Sequence, residues 1–147
     1  MGSSLNRPFI DTNVLFSGLY SSLAAPRRIL DLHSESVITI VICEWVFVEL
    51  AHAFRNKAPQ LIPRLEAWVA LRPPEVMQDP APAALQRTLS LINPADAVIL
   101  AAALASGAGC LVTGNTRDFT PAVAAASGLR ILTPTEYVRS IEPGGAR

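Results

Sequence analysis

Four carboxylates stand at places in this chain where their type and spacing could do chemistry. Asp11 ends a short apolar run, Glu49 lies on a helical stretch after a second such run, Asp96 follows Asn93-Pro94-Ala95, and Asp118 sits in a polar turn after a third apolar run. Carboxylates that converge repel one another unless they are protonated or bridged by cations. With no Cys or His at ligand spacing among them, the donors are all hard oxygens, which suits Mg²⁺ or Mn²⁺. Such an ion polarises a phosphoryl oxygen and lowers the pKa of a bound water, so the chemistry on offer is hydrolysis of a phosphodiester without a protein nucleophile. Each acid also has a structural alternative. Asp11 or Asn13 could cap a helix, Asp96 could serve a helix dipole, Glu49 could form an exposed ion pair, and Asp118 could belong to a turn. Only a fold that brings all four to one end of one sheet separates the two readings.

The elements that must position these acids alternate along the chain. Phe9 and Ile10 favour a strand, Asp11-Thr12-Asn13 stops it, and residues 14–19 begin a helix. A helix is expected over 25–33, a β-branched strand over 37–42, and a helix over 44–54 whose buried stripe is Phe47, Leu50 and Phe54, with Glu49 outside it. A further helix over 61–71 leads through Pro73-Pro74 to a short edge strand at 75–77. Residues 83–92 read as helix. Asn93 then caps a second, apolar helix with Pro94 in its first position, and Gly107 and Gly109 stop it. Strand 110–113 runs into Gly114-Asn115-Thr116-Arg117-Asp118, echoing the exit from the first strand. Thr120-Pro121 opens a short helix, 130–132 is a last strand, and Thr133-Pro134 begins a final helix. With right-handed crossovers this order predicts an α/β three-layer sandwich, a mostly parallel sheet of four or five strands flanked by helices.

Bulk properties set limits on function. The 147 residues suit one domain, with 141–147 expected as a frayed tail. Half of the residues are apolar and 16% are charged, which excludes a disordered chain. No apolar run is long enough for a membrane span and no signal-type segment opens the chain, so a cytoplasmic location is expected. Cys43 and Cys110 lie in apolar surroundings and read as buried, reduced thiols. Twelve bases balance twelve acids, so no overt basic footprint marks nucleic acid; with four acids gathered around cations, twelve bases would face eight acids and leave a mildly basic exterior.

The stretches Phe9-Ile10-Asp11-Thr12-Asn13-Val14-Leu15, Glu49, Asn93-Pro94-Ala95-Asp96-Ala97 and Leu111-Val112-Thr113-Gly114-Asn115-Thr116-Arg117-Asp118-Phe119 resemble, in order and spacing, the signatures of PIN domains. The likeness spans essentially the whole chain and is nearest to the VapC-like bacterial toxins of toxin-antitoxin pairs. It implies a metal-dependent ribonuclease, frequently a homodimer, held in check by a small antitoxin protein. Asp11, Glu49 and Asp96 match the three central metal-binding acids, and Asp118 falls in the loop that supplies a fourth. Asn115 stands where many relatives carry aspartate, which leaves three options: Asp118 completes the site, Asn115 does so, or a second ion binds weakly. Thr12, Asn13, Thr113 and Asn115 match supporting positions that orient acids or water through hydrogen bonds.

An RNA substrate would place one phosphate at the ion while cations hold its neighbours, and Arg27, Arg28, Arg55, Lys57 and Arg117 are the candidates, each with a plain solvated surface as its alternative. His33 and His52 have no partner pattern and read as structural, and Trp45 and Trp68 read as core or dimer contacts. Two competing functions remain. One is a PIN-like binding or regulatory module without hydrolysis, suggested by Asn115 and the neutral charge. The other is a phosphatase with Asp11 as nucleophile, which wants a second acid where Asn13 stands.

Overall fold

The computed structural model describes residues 5–22 and 24–144. Five strands, β1 (Phe9–Ile10), β2 (Val41–Cys43), β3 (Glu75–Met77), β4 (Leu111–Val112) and β5 (Ile131–Leu132), form one sheet in the order β3-β2-β1-β4-β5. Every adjacent pair is parallel. Parallel neighbours need crossovers, and helices supply them: α1 (Thr12–Tyr20), α2 (Ala24–Ser34), α3 (Glu44–Lys57), α4 (Ile62–Leu71), α5 (Pro82–Leu89), α6 (Pro94–Ala105), α7 (Pro121–Ser127) and α8 (Pro134–Ile141). The expected α/β sandwich with a parallel sheet is what forms.

The sheet order fixes where a site can be. From β1 the chain steps outward to β2 and β3, then returns to lay β4 on the opposite flank of β1. The reversal leaves a crevice beyond the carboxyl ends of β1 and β4, the place where open parallel sheets bind ligands. The register pairs Ile10 with Val112, so Asp11 and Thr113 emerge side by side. A bond from the Asp11 N–H to the Val112 carbonyl at 3.0 Å holds the two exits together.

The strands are short and lie in the core. Phe9, Ile10, Val41, Ile42, Cys43, Leu111 and Val112 are all fully buried, as continuous apolar strands covered by helices should be. The strand expected at 37–42 starts later, at Val41, because the Ile40 N–H is drawn off the ladder to His33 Nδ1 at 3.0 Å. Along α3 the buried stripe is Val46, Leu50 and Phe54: Leu50 and Phe54 are buried as expected, Val46 takes the place of Phe47, which is 37% exposed, and Glu49 is half-buried on the flank of the stripe. The helix expected at 83–92 runs from Pro82 to Leu89, and the buried Thr88 near its end shares its hydroxyl between the Leu85 carbonyl at 3.0 Å and the Ala97 carbonyl at 2.9 Å, which ties α5 to α6.

Two long-range contacts seat the helices. A Cβ on Gly18 would lie 2.7 Å from Leu30 Cδ1 and 2.8 Å from the Pro26 carbonyl, so α1 reaches α2 only because that position is glycine. Arg28 pairs with Glu142, just past α8, at 2.6 Å. Ile141 therefore closes a helix and Glu142 is tied to α2, while residues 145–147 of the expected tail lie outside the described residues. No helix among the described residues is long and apolar enough to cross a membrane.

Candidate active site

Asp11 is both the end of β1 and the N-cap of α1. Its Oδ1 accepts the Thr12 N–H at 2.7 Å, so the capping role expected as an alternative is real and coexists with a position at the mouth of the sheet. Its Oδ2 accepts from the Thr113 hydroxyl at 2.8 Å and from Asn13 Nδ2 at 3.1 Å. Asn13 in turn accepts the Gly114 N–H at 2.9 Å, and Thr113 accepts the Asn115 N–H at 3.0 Å, so the exits of β1 and β4 are laced into one unit.

Glu49 arrives on α3. Its Oε1 accepts from the Thr12 hydroxyl at 2.9 Å. Asp96 arrives in the first turn of α6, placed by Asn93, whose Oδ1 accepts the Asp96 N–H at 3.1 Å while its Nδ2 donates to Asp96 Oδ2 at 2.6 Å. Asp11, Glu49 and Asp96 line one open cleft of about 360 Å³ together with Thr12, Asn13, Phe16, Ser17 and Lys57. The Asp118 carboxylate is not among the groups lining this cleft; it is joined to Asp96 through Asn115, whose Nδ2 donates to Asp118 at 3.1 Å and to Asp96 at 3.4 Å.

Electrostatics agree with this crowding. The Asp11 carboxyl is pushed up to about 6, chiefly by burial, with the charges of Asp96 and Glu49 adding to the rise and the bonds from Thr113 and Thr12 opposing it. A cation in the cleft would relieve that burden, and the donors that share it with Asp11 are carboxylates, so the set fits a hard divalent ion in kind. As the side chains stand, no group of three or more His, Cys, Asp or Glu among the described residues is arranged to hold a metal ion. Closing the three acids on one point would take side-chain rotation in a cleft that is open on one side.

The candidate cations disperse. Lys57 lies in the cleft, its ammonium 5.8 Å from the centre of the Phe16 ring. Arg117 is exposed in the loop beside Asp118. Arg55 lines a separate apolar groove of about 420 Å³ between α3 and α4. Arg27 pairs with Asp31 at 3.3 Å, and Arg28 is held by Glu142 and Glu35. His33 is fully buried, accepting at Nδ1 from Ile40 and donating at Nε2 to the Arg72 carbonyl at 2.9 Å, and burial holds its pKa below the usual range. Cys43 and Cys110 are free and buried, their thiols pushed up to about 11 and about 12 by burial. Sequence reasoning missed Phe16 and Ser17 as walls of the cleft; their spacing from Asp11 on α1, one turn and more beyond the cap, was the available signal.

The PIN domain family model matches residues 7–117, from two residues before β1 into the turn after β4. The chain belongs to the PIN-domain family. PIN domains are nucleases, which makes hydrolysis of nucleic acid the chemistry of the family. Among solved structures, the fold is similar to a crystal structure of VapBC2 from Rickettsia felis bound to a DNA fragment from their promoter, with a TM-score of 0.65 and 20% identity over 86% of this chain and 98% of that one. No curated protein sequence matches this chain.

Proposed function

We propose that this protein is an endoribonuclease dependent on Mg²⁺ or Mn²⁺ and the toxin of a toxin-antitoxin pair. The observation that carries the reading is the meeting of Asp11, Glu49 and Asp96 in one cleft, each delivered by a different element to the switch point of the sheet. Membership of the PIN-domain family supports the nuclease, and the likeness in fold to VapBC2 supports the toxin setting and a small antitoxin as partner. A second copy of the chain is the other expected partner, and Trp45, Phe47 and Val48 on α3 leave apolar surface exposed for one contact or the other.

Asp11, Glu49 and Asp96 would hold the ion. When bound, the ion supplies charge stabilisation at the scissile phosphate and a more acidic water. The chain supplies the rest. The hydroxyls of Thr113 and Thr12 hold the carboxylates of Asp11 and Glu49 at the mouth of the cleft, from which a side-chain rotation would close them on the ion. Lys57, at the far end of α3, places a positive charge where a phosphate next to the scissile one would pass, and Arg117 offers a second contact from the β4 turn. Single-stranded or looped RNA fits an open cleft of this kind, because its backbone can bend into it.

The test is cleavage of structured and single-stranded RNA by the purified protein, with divalent ion and after chelation. The unclosed arrangement of the three acids favours a second reading, a PIN-like module that binds without hydrolysis. The same assay decides between them: RNA binding without products in the presence of Mn²⁺ supports the second.

A further inference from the structure

We infer that Asn115 takes the place of a cation between Asp96 and Asp118, so that the cleft holds one divalent ion and Asp118 stays outside its ligand set. This rests on reading the cleft as the metal site of a nuclease. The side-chain amide spans the two acids, donating from Nδ2 to Asp118 Oδ2 at 3.1 Å and to Asp96 Oδ2 at 3.4 Å. Its orientation follows from the partners: both carboxylates can only accept, while the Asp118 N–H donates to Asn115 Oδ1 at 3.3 Å. The one atom of Asn115 with lone pairs to offer a metal is thereby turned to the backbone of the loop, and the end facing the acids carries hydrogens.

The oxygen count on Asp96 points the same way. Its Oδ2 accepts from Asn93 as well as from Asn115, which occupies both lone pairs of that oxygen. Asp96 can then serve an ion through Oδ1 alone, so it cannot bridge two ions with its two oxygens. Asp118 accepts the amide and does not line the cleft that Asp11, Glu49 and Asp96 share. Two carboxylates that would otherwise repel are thus held together by a neutral donor, which needs no ion to be stable. An aspartate at 115 would reverse this arrangement: three carboxylates with no donor between them, next to the first ion, form a second hard-oxygen site.

The experiment counts Mn²⁺ bound per chain by calorimetry, confirmed by electron paramagnetic resonance, on the whole protein at neutral pH. One ion is expected for the wild type and two for Asn115→Asp. Two ions on the wild type, or none, overturn the inference, and this arm needs no variant. An Asn115→Asp protein that is folded by circular dichroism and still binds one ion overturns it as well. RNA cleavage, measured on the same wild-type sample, keeps the two readings apart. Cleavage with two ions bound sinks the inference and leaves the nuclease standing; one ion without cleavage does the reverse.

Discussion

The Thr113 hydroxyl donates to Asp11 Oδ2 at 2.8 Å, tying the exits of β4 and β1 together across the switch point of the sheet. Both residues are buried, and a hundred and two positions of sequence separate them. The bond does two jobs at once: it joins the two strand exits at the floor of the crevice and it orients the acid that caps α1. Thr113→Val keeps the shape and removes the donor. Divalent-ion affinity is expected to fall by about 10–100-fold, the usual effect of losing an outer partner of a metal ligand, and a Mn²⁺ titration reads it.

The raised pKa of Asp11 gives the ion-free protein a pH dependence of definite sign. A carboxyl that titrates near 3.8 unfolded and about 6 folded binds its proton more tightly in the native state, so its contribution to stability is present at pH 4 and is lost as pH rises through 6. A shift of this size corresponds to about 3 kcal/mol. Melting curves in chelator should show wild type losing stability over that window relative to Asp11→Asn, and added Mn²⁺ should restore it.

Lys57 is the cation that shares the cleft with the acids. Lys57→Met should raise the KM for RNA while changing kcat little, and should reduce the slope of log affinity against log salt by about 0.7, the share of one phosphate contact on a single strand. Arg27→Met and Arg28→Met, whose side chains are engaged in ion pairs on other faces, should leave that slope unchanged.

Gly18 sits where α1 touches α2, and its replacement tests the packing that carries Asp11. Gly18→Ala puts a methyl group 2.7 Å from Leu30 Cδ1 and 2.8 Å from a backbone carbonyl that cannot yield cheaply. A loss of about 1–3 kcal/mol is expected by denaturant unfolding, with an unchanged m-value.

Much of this fold was legible in the sequence because its signals are local. The Asn93-Pro94 start of α6 contains both the cap and the acid it places, and the polar stops after Ile10 and Val112 mark the ends of β1 and β4 without reference to anything distant. Where local reading went astray, a distant partner decided. β2 begins at Val41 because His33 takes the Ile40 N–H, and α3 buries Val46 in place of Phe47 on the side whose Phe54 stacks on Phe16 of α1. The role of Asn115 was open for the same reason. Its type was visible, but the two carboxylates it spans come from a different helix and from its own loop, and only the fold shows that it donates to both.

The most direct test of the central claim is RNA cleavage by wild type and Asp11→Asn in parallel, with Mn²⁺ and after its removal by chelator. The expected result is cleavage by the wild type that stops on chelation, and a loss of more than about 100-fold in Asp11→Asn, since removing a ligand exceeds the effect of removing its partner. Undiminished cleavage by Asp11→Asn, or by the wild type in chelator, would contradict the assignment of this cleft.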